Sequence, residues 1–209
     1  MSVREKPWFP IVYMFVLTAF FSAILLGFST FTRDRVEANE KLSFEKAVLT
    51  ALPVVIPPGT SNRALHEMFV ASVKEPDASS AGAYRLVEDG QLVAYAVPFE
   101  GQGFWDVIRG IIGVAADGRT ITGIAFYYQR ETPGLGGEIV KPRFCDQFAE
   151  GKVLGAGERV LELKPEKESA GPSEVNQITG ATQTSTRLGR ILNERLADWR
   201  EAMAGRAGR

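Results

Sequence analysis

The sequence is poor in the side chains that most enzymes use, with one cysteine and one histidine among 209 residues. Cys145 cannot form a disulfide within the chain, and it cannot build a cysteine-only metal or iron–sulfur site within a single chain. A lone histidine, His66, argues against a Ser-His-Asp triad and against a zinc site made of histidines. This scarcity favours a protein in which a bound cofactor carries the chemistry.

An excess of charge of either sign is also missing. The formal net charge is −1, and the sequence has no block of lysine and arginine. Nucleic-acid-binding proteins usually carry a basic patch or stripe, so this composition argues against a nucleic-acid partner. We predict no catalytic side chains and no metal ligands.

What the sequence does have is a long hydrophobic run over residues 11–31, which contains no charged side chain. About 20 apolar residues cross a bilayer core of roughly 30 Å, so we predict a transmembrane helix after a short lead of residues 1–10. The alternative is a cleaved signal peptide, whose apolar core is shorter and is followed by small residues. No Ala-x-Ala follows Phe31, which favours a retained anchor. Basic residues flank both ends equally, so the positive-inside rule gives no orientation.

The chain after this run divides into a stalk, a domain and a tail. Residues 33–51 alternate apolar and charged side chains, which predicts a helix that Pro53 and Pro57–Gly59 terminate. A second, short helix is predicted over 62–73. The predicted segments are a stalk helix and linker at 32–60, a cofactor-binding domain at 61–203 and a flexible tail at 204–209.

Turn signals predict an antiparallel sheet in this domain. Two pairs of β-rich runs flank Glu88-Asp89-Gly90 and Ala116-Asp117-Gly118-Arg119, both typical of hairpins. The fold class is therefore α+β, with a meander of about four strands and packed helices. The predicted strands are 84–87, 92–97, 107–114, 120–128 and 160–163, a short helix covers 143–148, and a polar loop covers 165–172.

Two glycine-rich segments could approach a ligand. Residues 98–105 link the two hairpins and contain Gly101 and Gly103, which permit positive φ or close backbone approach. Residues 131–138, Glu-Thr-Pro-Gly-Leu-Gly-Gly-Glu, leave backbone N–H groups open to a planar or anionic ligand. Neither segment is a P-loop or a G-x-G-x-x-G fingerprint. The alternative is that both are simple turns.

The last helix is predicted over 182–203 from an apolar stripe that recurs every three or four residues. Hydroxyl side chains crowd the residues just before and at its start. Thr179 or Thr182 could cap the helix. The free N–H groups and the positive end of the helix dipole also favour an anion such as a phosphate.

The motifs in this chain resemble those of a known family. Thr179-Gly180-Ala181-Thr182 resembles the S/T-G-A-T flavinylation motif of the FMN-binding subunits of two related complexes. These are the Rnf electron-transport complex (G subunit) and the Na⁺-translocating NADH:quinone oxidoreductase (C subunit). The loop 131–136, the segment 101–105 and the single N-terminal anchor are similar too. Gln-Gly-Phe-Trp and Gly-Gly-Glu resemble the C type and the short length resembles the G type, so both memberships stay open.

The resemblance implies a function. FMN would be joined through its phosphate to Thr182, by a flavin transferase that uses FAD, and would relay electrons within an ion-translocating complex. Other membrane subunits of an Rnf- or Nqr-type complex would be partners. The FMN domain would lie on the extracytoplasmic side of the cytoplasmic membrane, with the lead in the cytoplasm. The motif usually has Asp where this chain has Asn176, which puts the efficiency of modification in doubt.

The predicted cofactor-binding residues fall into four groups. Thr182 carries the FMN, and Thr184 and Ser185 cap the helix near the phosphate. Lys164 is a cationic contact that favours a reduced, anionic flavin. The remaining predicted contacts are Thr179, Gly180, Ala181, Glu131, Thr132, Leu135, Gly136, Gly103 and Trp105. The competing hypothesis is an anchored extracytoplasmic binding or assembly module without a redox cofactor.

Overall fold

The computed structural model describes residues 6–157, 159–165 and 170–207, and the side chains within them except those of residues 206 and 207. Parts of the predicted lead, of the loop 165–172 and of the tail lie outside these ranges. The chain divides into two compact units, Met1–Lys41 and Leu42–Arg209.

The first helix, α1, spans Phe9–Ala51, so the predicted transmembrane segment and the predicted stalk helix are one continuous helix. At 1.5 Å per residue, its 43 residues extend about 65 Å. The described residues contain one helix that is long and apolar enough to cross a membrane, and that helix is α1. Large side chains of its apolar half are exposed, for example Phe15, Leu25 and Phe31. The length and composition fit a membrane anchor.

The second unit is built on a five-stranded antiparallel meander in the order β1-β2-β3-β4-β5. The predicted meander and the α+β class are confirmed, with one short strand added at its edge. A separate parallel pair joins β6 to β7. The strands are β1 (Val73–Lys74), β2 (Tyr84–Glu88), β3 (Gln91–Gln102), β4 (Val107–Ala115), β5 (Ile121–Tyr128), β6 (Glu162–Lys164) and β7 (Glu174–Asn176).

The helices cover both faces of this sheet. They are α2 (Asn62–Ser72), α3 (Pro142–Ala149) and α4 (Thr182–Ala207). The end of α1 and α2 pack on one face, whereas α3 and α4 pack on the other. Because successive strand residues point to opposite faces, Tyr95, Val97 and Phe99 of β3 join the α4 core. Ala94 and Ala96 meet the α1 side.

The stripe predicted for the last helix is confirmed as its buried face. Leu188, Leu192, Leu196 and Trp199 are buried in the core. The Trp199 indole N–H donates to the Ser80 carbonyl at 3.1 Å. This packing fixes the position of the helix start, where the candidate site lies.

Several sequence-based boundaries are wrong. The strand predicted over 160–163 is β6 at Glu162–Lys164, and the last helix continues to Ala207, into the predicted tail. The largest difference is in β3. Residues 98–105 were expected to link the hairpins, but β3 continues to Gln102 and pairs with Val107 of β4. The link is therefore a tight turn, in which Gly103 N–H donates to the Asp106 carbonyl at 2.9 Å. Pro98 is tolerated inside the strand although it has no N–H, and its carbonyl accepts from Arg195 Nε at 2.8 Å.

Candidate functional site

A buried carboxylate holds the site together. Glu131 is only 5% exposed, and it lies in the loop after β5. One of its oxygens accepts the backbone N–H groups of Phe104 and Trp105, at 2.8 and 3.1 Å. The other accepts the Thr184 hydroxyl at 2.7 Å. The carboxylate thus joins the turn after β3, the glycine loop and the first turn of α4.

The glycines of this region allow the segments to approach closely. A Cβ on Gly136 would clash with Thr184 Oγ1 and would lie 2.9 Å from Glu131 Oε2. A Cβ on Gly103 would lie 2.5 Å from Glu131 Oε1. Both glycines are buried. They were expected to contact the cofactor, but in the structure their missing side chains let the buried Glu131 carboxylate reach its hydrogen-bond donors.

The hydroxyl-rich stretch forms a turn that leads into α4. The Ala181 N–H donates to the Ile178 carbonyl at 3.0 Å, and Gly180 has a φ of +80°. Thr182 is the first residue of α4 and is exposed. Alanine at the position before the helix has no side-chain acceptor, so it cannot cap the first-turn N–H groups. The helix start thus presents an exposed hydroxyl beside backbone donors.

The other two hydroxyls of this stretch are buried. Thr184 donates to Glu131, and Ser185 Oγ accepts from the Ile178 N–H at 3.3 Å. Both were expected to cap the helix near a phosphate. In the structure they bind neighbouring segments of the chain, which fixes the shape of the stretch around Thr182. Thr179 is exposed in the turn.

Leu135 connects the glycine loop to this stretch. It is 45% exposed, and its Cδ2 would lie 3.3 Å from a Cβ on Gly180. Thr132 is exposed in the same loop. The structure thus brings the two motifs side by side.

An exposed aromatic pair borders the glycine loop. Phe104 and Trp105 are 45% and 66% exposed and meet edge to face at 5.0 Å. Their backbone N–H groups bind Glu131, and the Trp105 indole N–H donates to Thr132 Oγ1 at 3.0 Å. The two rings thus present exposed aromatic surface beside the glycine loop, and the hydrogen bond to Thr132 fixes the Trp105 ring. Such a surface suits a planar ligand or a partner.

The carboxylate of Asp106 closes the end of the same turn. It accepts the Val107 N–H at 2.7 Å and the Tyr128 hydroxyl at 2.9 Å. These two hydrogen bonds, together with Arg130, hold the pKa of Asp106 below its usual value. Asp106 is therefore ionised at neutral pH.

Two cationic side chains, Lys164 and Arg187, have different partners in the structure. Lys164, the cation expected from the sequence, lies in β6 and forms an ion pair with Glu174 at 2.6 Å. That ion pair, more than the Gly171 N–H, holds the pKa of Glu174 below its usual value. Arg187, on α4, has its guanidinium carbon 5.9 Å from the centre of the Phe104 ring. Within the described ranges, no contact links Lys164 to Glu131.

A cavity of about 730 Å³ adjoins both motifs. Gly134 of the glycine loop and Thr179 of the hydroxyl-rich stretch lie on its wall, together with Asn176. The Asn176 N–H donates to Gln147 at 2.9 Å. Its side-chain oxygen is buried without a hydrogen-bond donor among the described residues. The cavity lies beside the helix start rather than around Glu131.

Sequence reasoning missed Phe104 and Arg187. Phe104 lay within a segment considered as a ligand contact but was not singled out, and Arg187 was given no role at the site. A signal for Arg187 did exist, because it lies three residues after Thr184 and such residues share a helix face. The contact with Phe104, however, joins positions 83 residues apart and needs the tertiary structure.

The arrangement fits a ligand that has a phosphate and a planar ring system, such as FMN. An exposed hydroxyl at a helix N-terminus accommodates a phosphate, since backbone donors and the helix dipole both favour an anion. The exposed apolar side chains of Leu135, Phe104 and Trp105 suit a planar ring system.

Comparison with known proteins agrees with this fit. Residues 103–197 match the FMN-binding domain family. The chain is 41% identical over 100 residues to the C subunit of the Na⁺-translocating NADH-quinone reductase of Neisseria meningitidis serogroup A, covering 47% of this chain and 38% of that protein. It is 39% identical over 111 residues to the corresponding protein of Pasteurella multocida, covering 52% and 42%. The match thus spans about two fifths of these relatives.

Solved structures have the same fold. The C subunit of the Na⁺-translocating NADH-quinone reductase of Parabacteroides distasonis superposes with a TM-score of 0.68 at 25% identity, over 82% of this chain and 96% of that one. NqrC of Shewanella oneidensis gives 0.65 at 21% identity, over 81% and 99%. The resemblance drawn from the motifs, to FMN-binding subunits of Nqr- and Rnf-type complexes, is confirmed.

Proposed function

We propose, for a chain whose residues 103–197 match the FMN-binding domain family, that Thr182 carries FMN through a phosphoester bond. The protein then serves as a membrane-anchored electron carrier in an Nqr- or Rnf-type ion-translocating complex. The observation that supports the attachment site most directly is the position of Thr182. Thr182 is the exposed first residue of α4. The glycine loop is held against the same helix turn, because Glu131 of that loop accepts the hydroxyl of Thr184.

The attachment reaction needs only an accessible hydroxyl from this chain. Thr182 Oγ1 forms a bond to the FMN phosphorus of FAD while the phosphoanhydride bond breaks. AMP leaves with the electron pair, and the hydroxyl proton passes to a base of the flavin transferase. The chain orients the hydroxyl and supplies helix-terminal donors that favour the phosphate. The transferase is therefore a required partner for maturation.

The residues around Thr182 would hold and orient the flavin. FMN, when bound, supplies one-electron chemistry that side chains lack. Leu135, Thr132 and Trp105 would contact the ring. Glu131 fixes the position of this aromatic pair by accepting the backbone N–H groups of Phe104 and Trp105. A covalent tether keeps the cofactor in place when its charge changes during turnover.

The apolar half of α1 would place the domain at the membrane. It crosses the cytoplasmic membrane once, with the N-terminus in the cytoplasm and the FMN domain on the periplasmic side. The support is its length and composition and the similarity to the C subunits of Na⁺-translocating NADH-quinone reductases. Other membrane subunits then donate and accept the electrons.

The test is covalent flavin on the full-length chain coexpressed with a flavin transferase. Intact mass should show one FMN added with loss of one water, and flavin fluorescence should persist on the denatured chain. Thr182→Val should remove both signals. Thr186→Val is the matched control, because Thr186 is also exposed and lies one turn further along α4. Flavin that stays on the denatured Thr182→Val chain would refute the assignment, and unmodified wild-type chain would favour a binding module without a redox cofactor.

A further inference from the structure

Arg187 has an unmet hydrogen-bonding capacity next to the candidate site. Its Nε is buried, and no hydrogen-bond acceptor lies within reach among the described residues. Buried N–H groups are nearly always paired, and the pairing matters more when the group is charged. Its guanidinium lies over the half-exposed ring of Phe104. An unpaired buried donor of this kind calls for an acceptor from outside the described residues, such as a ligand.

The position of Arg187 directs its charge to the aromatic surface. It follows Thr184 by three residues, about 4.5 Å along the helix axis and on the same side. Thr184 donates to Glu131, and Phe104 binds Glu131 through its backbone. The guanidinium lies 5.9 Å from the centre of the Phe104 ring. The cation therefore borders the surface formed by Phe104, Trp105 and the glycine loop.

The cation expected from the sequence has a different role. Lys164 binds Glu174 at 2.6 Å, and the two side chains are 28% and 24% exposed. An ion pair of this kind has little net charge to offer a ligand. Among the residues that the structure describes, Arg187 forms no ion pair, so no carboxylate there balances its positive charge directly.

We propose that Arg187 is the residue that stabilises negative charge on the flavin ring, and that it thereby raises the reduction potential of the tethered FMN. This inference rests on the proposed function. Taking up one electron without a proton adds one negative charge to the ring, and a nearby guanidinium favours that state. A phosphate diester keeps its charge on reduction, so an Arg187 that bound only the phosphate would leave the potential unchanged.

The experiment is a reductive titration with dithionite of the full-length, FMN-loaded protein, after intact mass has shown equal loading. Arg187→Gln should disfavour the one-electron-reduced state at least tenfold, which is 59 mV for a one-electron couple. Arg187→Lys should recover part of the shift, because lysine keeps the charge but not the planar donors. Arg190→Gln is the matched control, since Arg190 is an exposed neighbour on α4 paired with Glu194, and it should stay within twofold of the wild type.

The outcomes separate this inference from the proposed function. A wild-type chain without covalent flavin refutes the function itself. Loaded Arg187→Gln with a potential like that of the wild type overturns the inference alone and assigns Arg187 to the phosphate or to a protein partner. Arg187→Gln that cannot be loaded also overturns it, because Arg187 would then act on attachment rather than on the ring.

Discussion

Removing the Glu131 carboxylate tests how the site is built. Glu131→Ala leaves three donors without their acceptor, namely the N–H groups of Phe104 and Trp105 and the hydroxyl of Thr184. A hydrogen bond to a charged group contributes roughly 1.5–3 kcal/mol, and an unpaired buried donor is costly. Phe104 and Trp105 are exposed enough for water to replace their acceptor, whereas Thr184 is 3% exposed. We expect a loss of roughly 3–5 kcal/mol in the free energy of unfolding.

Glu131→Gln removes the negative charge of the side chain but keeps its size and its hydrogen-bonding groups. The amide oxygen can keep both backbone hydrogen bonds, and the amide nitrogen can donate to Thr184 after its hydroxyl rotates. Only the charge-assisted part is lost, so we expect roughly 1–2 kcal/mol. The control is Glu194→Ala, because Glu194 is exposed and 3.9 Å from Arg190. We expect it to change stability by less than about 0.5 kcal/mol.

The assay is thermal unfolding of the full-length chain in detergent, followed by tryptophan fluorescence. For a domain of this size each kcal/mol moves Tm by roughly 2–4 °C. Glu131→Ala should therefore lower Tm by roughly 6–20 °C, with Glu131→Gln between it and the wild type. Equal Tm values for the wild type and Glu131→Ala would show that the carboxylate does not hold the three segments together. Equal losses for the two variants would show that its shape and hydrogen bonds contribute nothing beyond its charge.

Two further predictions concern the core. Burial raises the pKa of the Cys145 thiol to about 12, so at pH 8 we expect Ellman's reagent to label the folded chain at least tenfold more slowly than the urea-unfolded chain. The unfolded thiol ionises near pH 8.5. Cys145 should therefore lower stability only as the pH rises from about 8.5 towards 12, and equal labelling rates would contradict its burial. Gly113→Ala would place a Cβ against the Ala51 carbonyl. We expect it to lower the free energy of unfolding in denaturant by roughly 1–3 kcal/mol. Gly157→Ala, where a Cβ would meet open space, should leave that free energy unchanged.

The sequence identified the elements of the fold because their signals are local. The stripe of α4 repeats at the helical period, and its residues form the buried face. The hairpin turns at Asp89-Gly90 and Asp117-Gly118 are followed by the expected strands, and Gly90 and Gly118 have positive φ. The end of β3 was missed because Gly101 and Gly103 suggest a turn. Pairing with β4, a contact along the whole strand, decided that boundary.

The sequence also identified both motifs of the candidate site, but not the way they meet. The resemblance named the glycine loop and the stretch around Thr182 as cofactor contacts, and that assignment remains a proposal. Two findings needed the tertiary structure. One is the hydrogen bond between Glu131 and Thr184, which are 53 residues apart. The other is the ion pair between Lys164 and Glu174, which depends on the register of β6 and β7.

What the sequence determined by itself is the four long strands of the meander and the helices, their order, the apolar helix at the start and the hydroxyl at the beginning of α4. Each depends on neighbours within a few residues, where periodicity and turn chemistry act. Only the tertiary structure decided which charges lie at the site. It paired Lys164 with Glu174 and placed Arg187 beside Phe104, because long-range packing sets the surroundings of a charged side chain and sequence spacing does not.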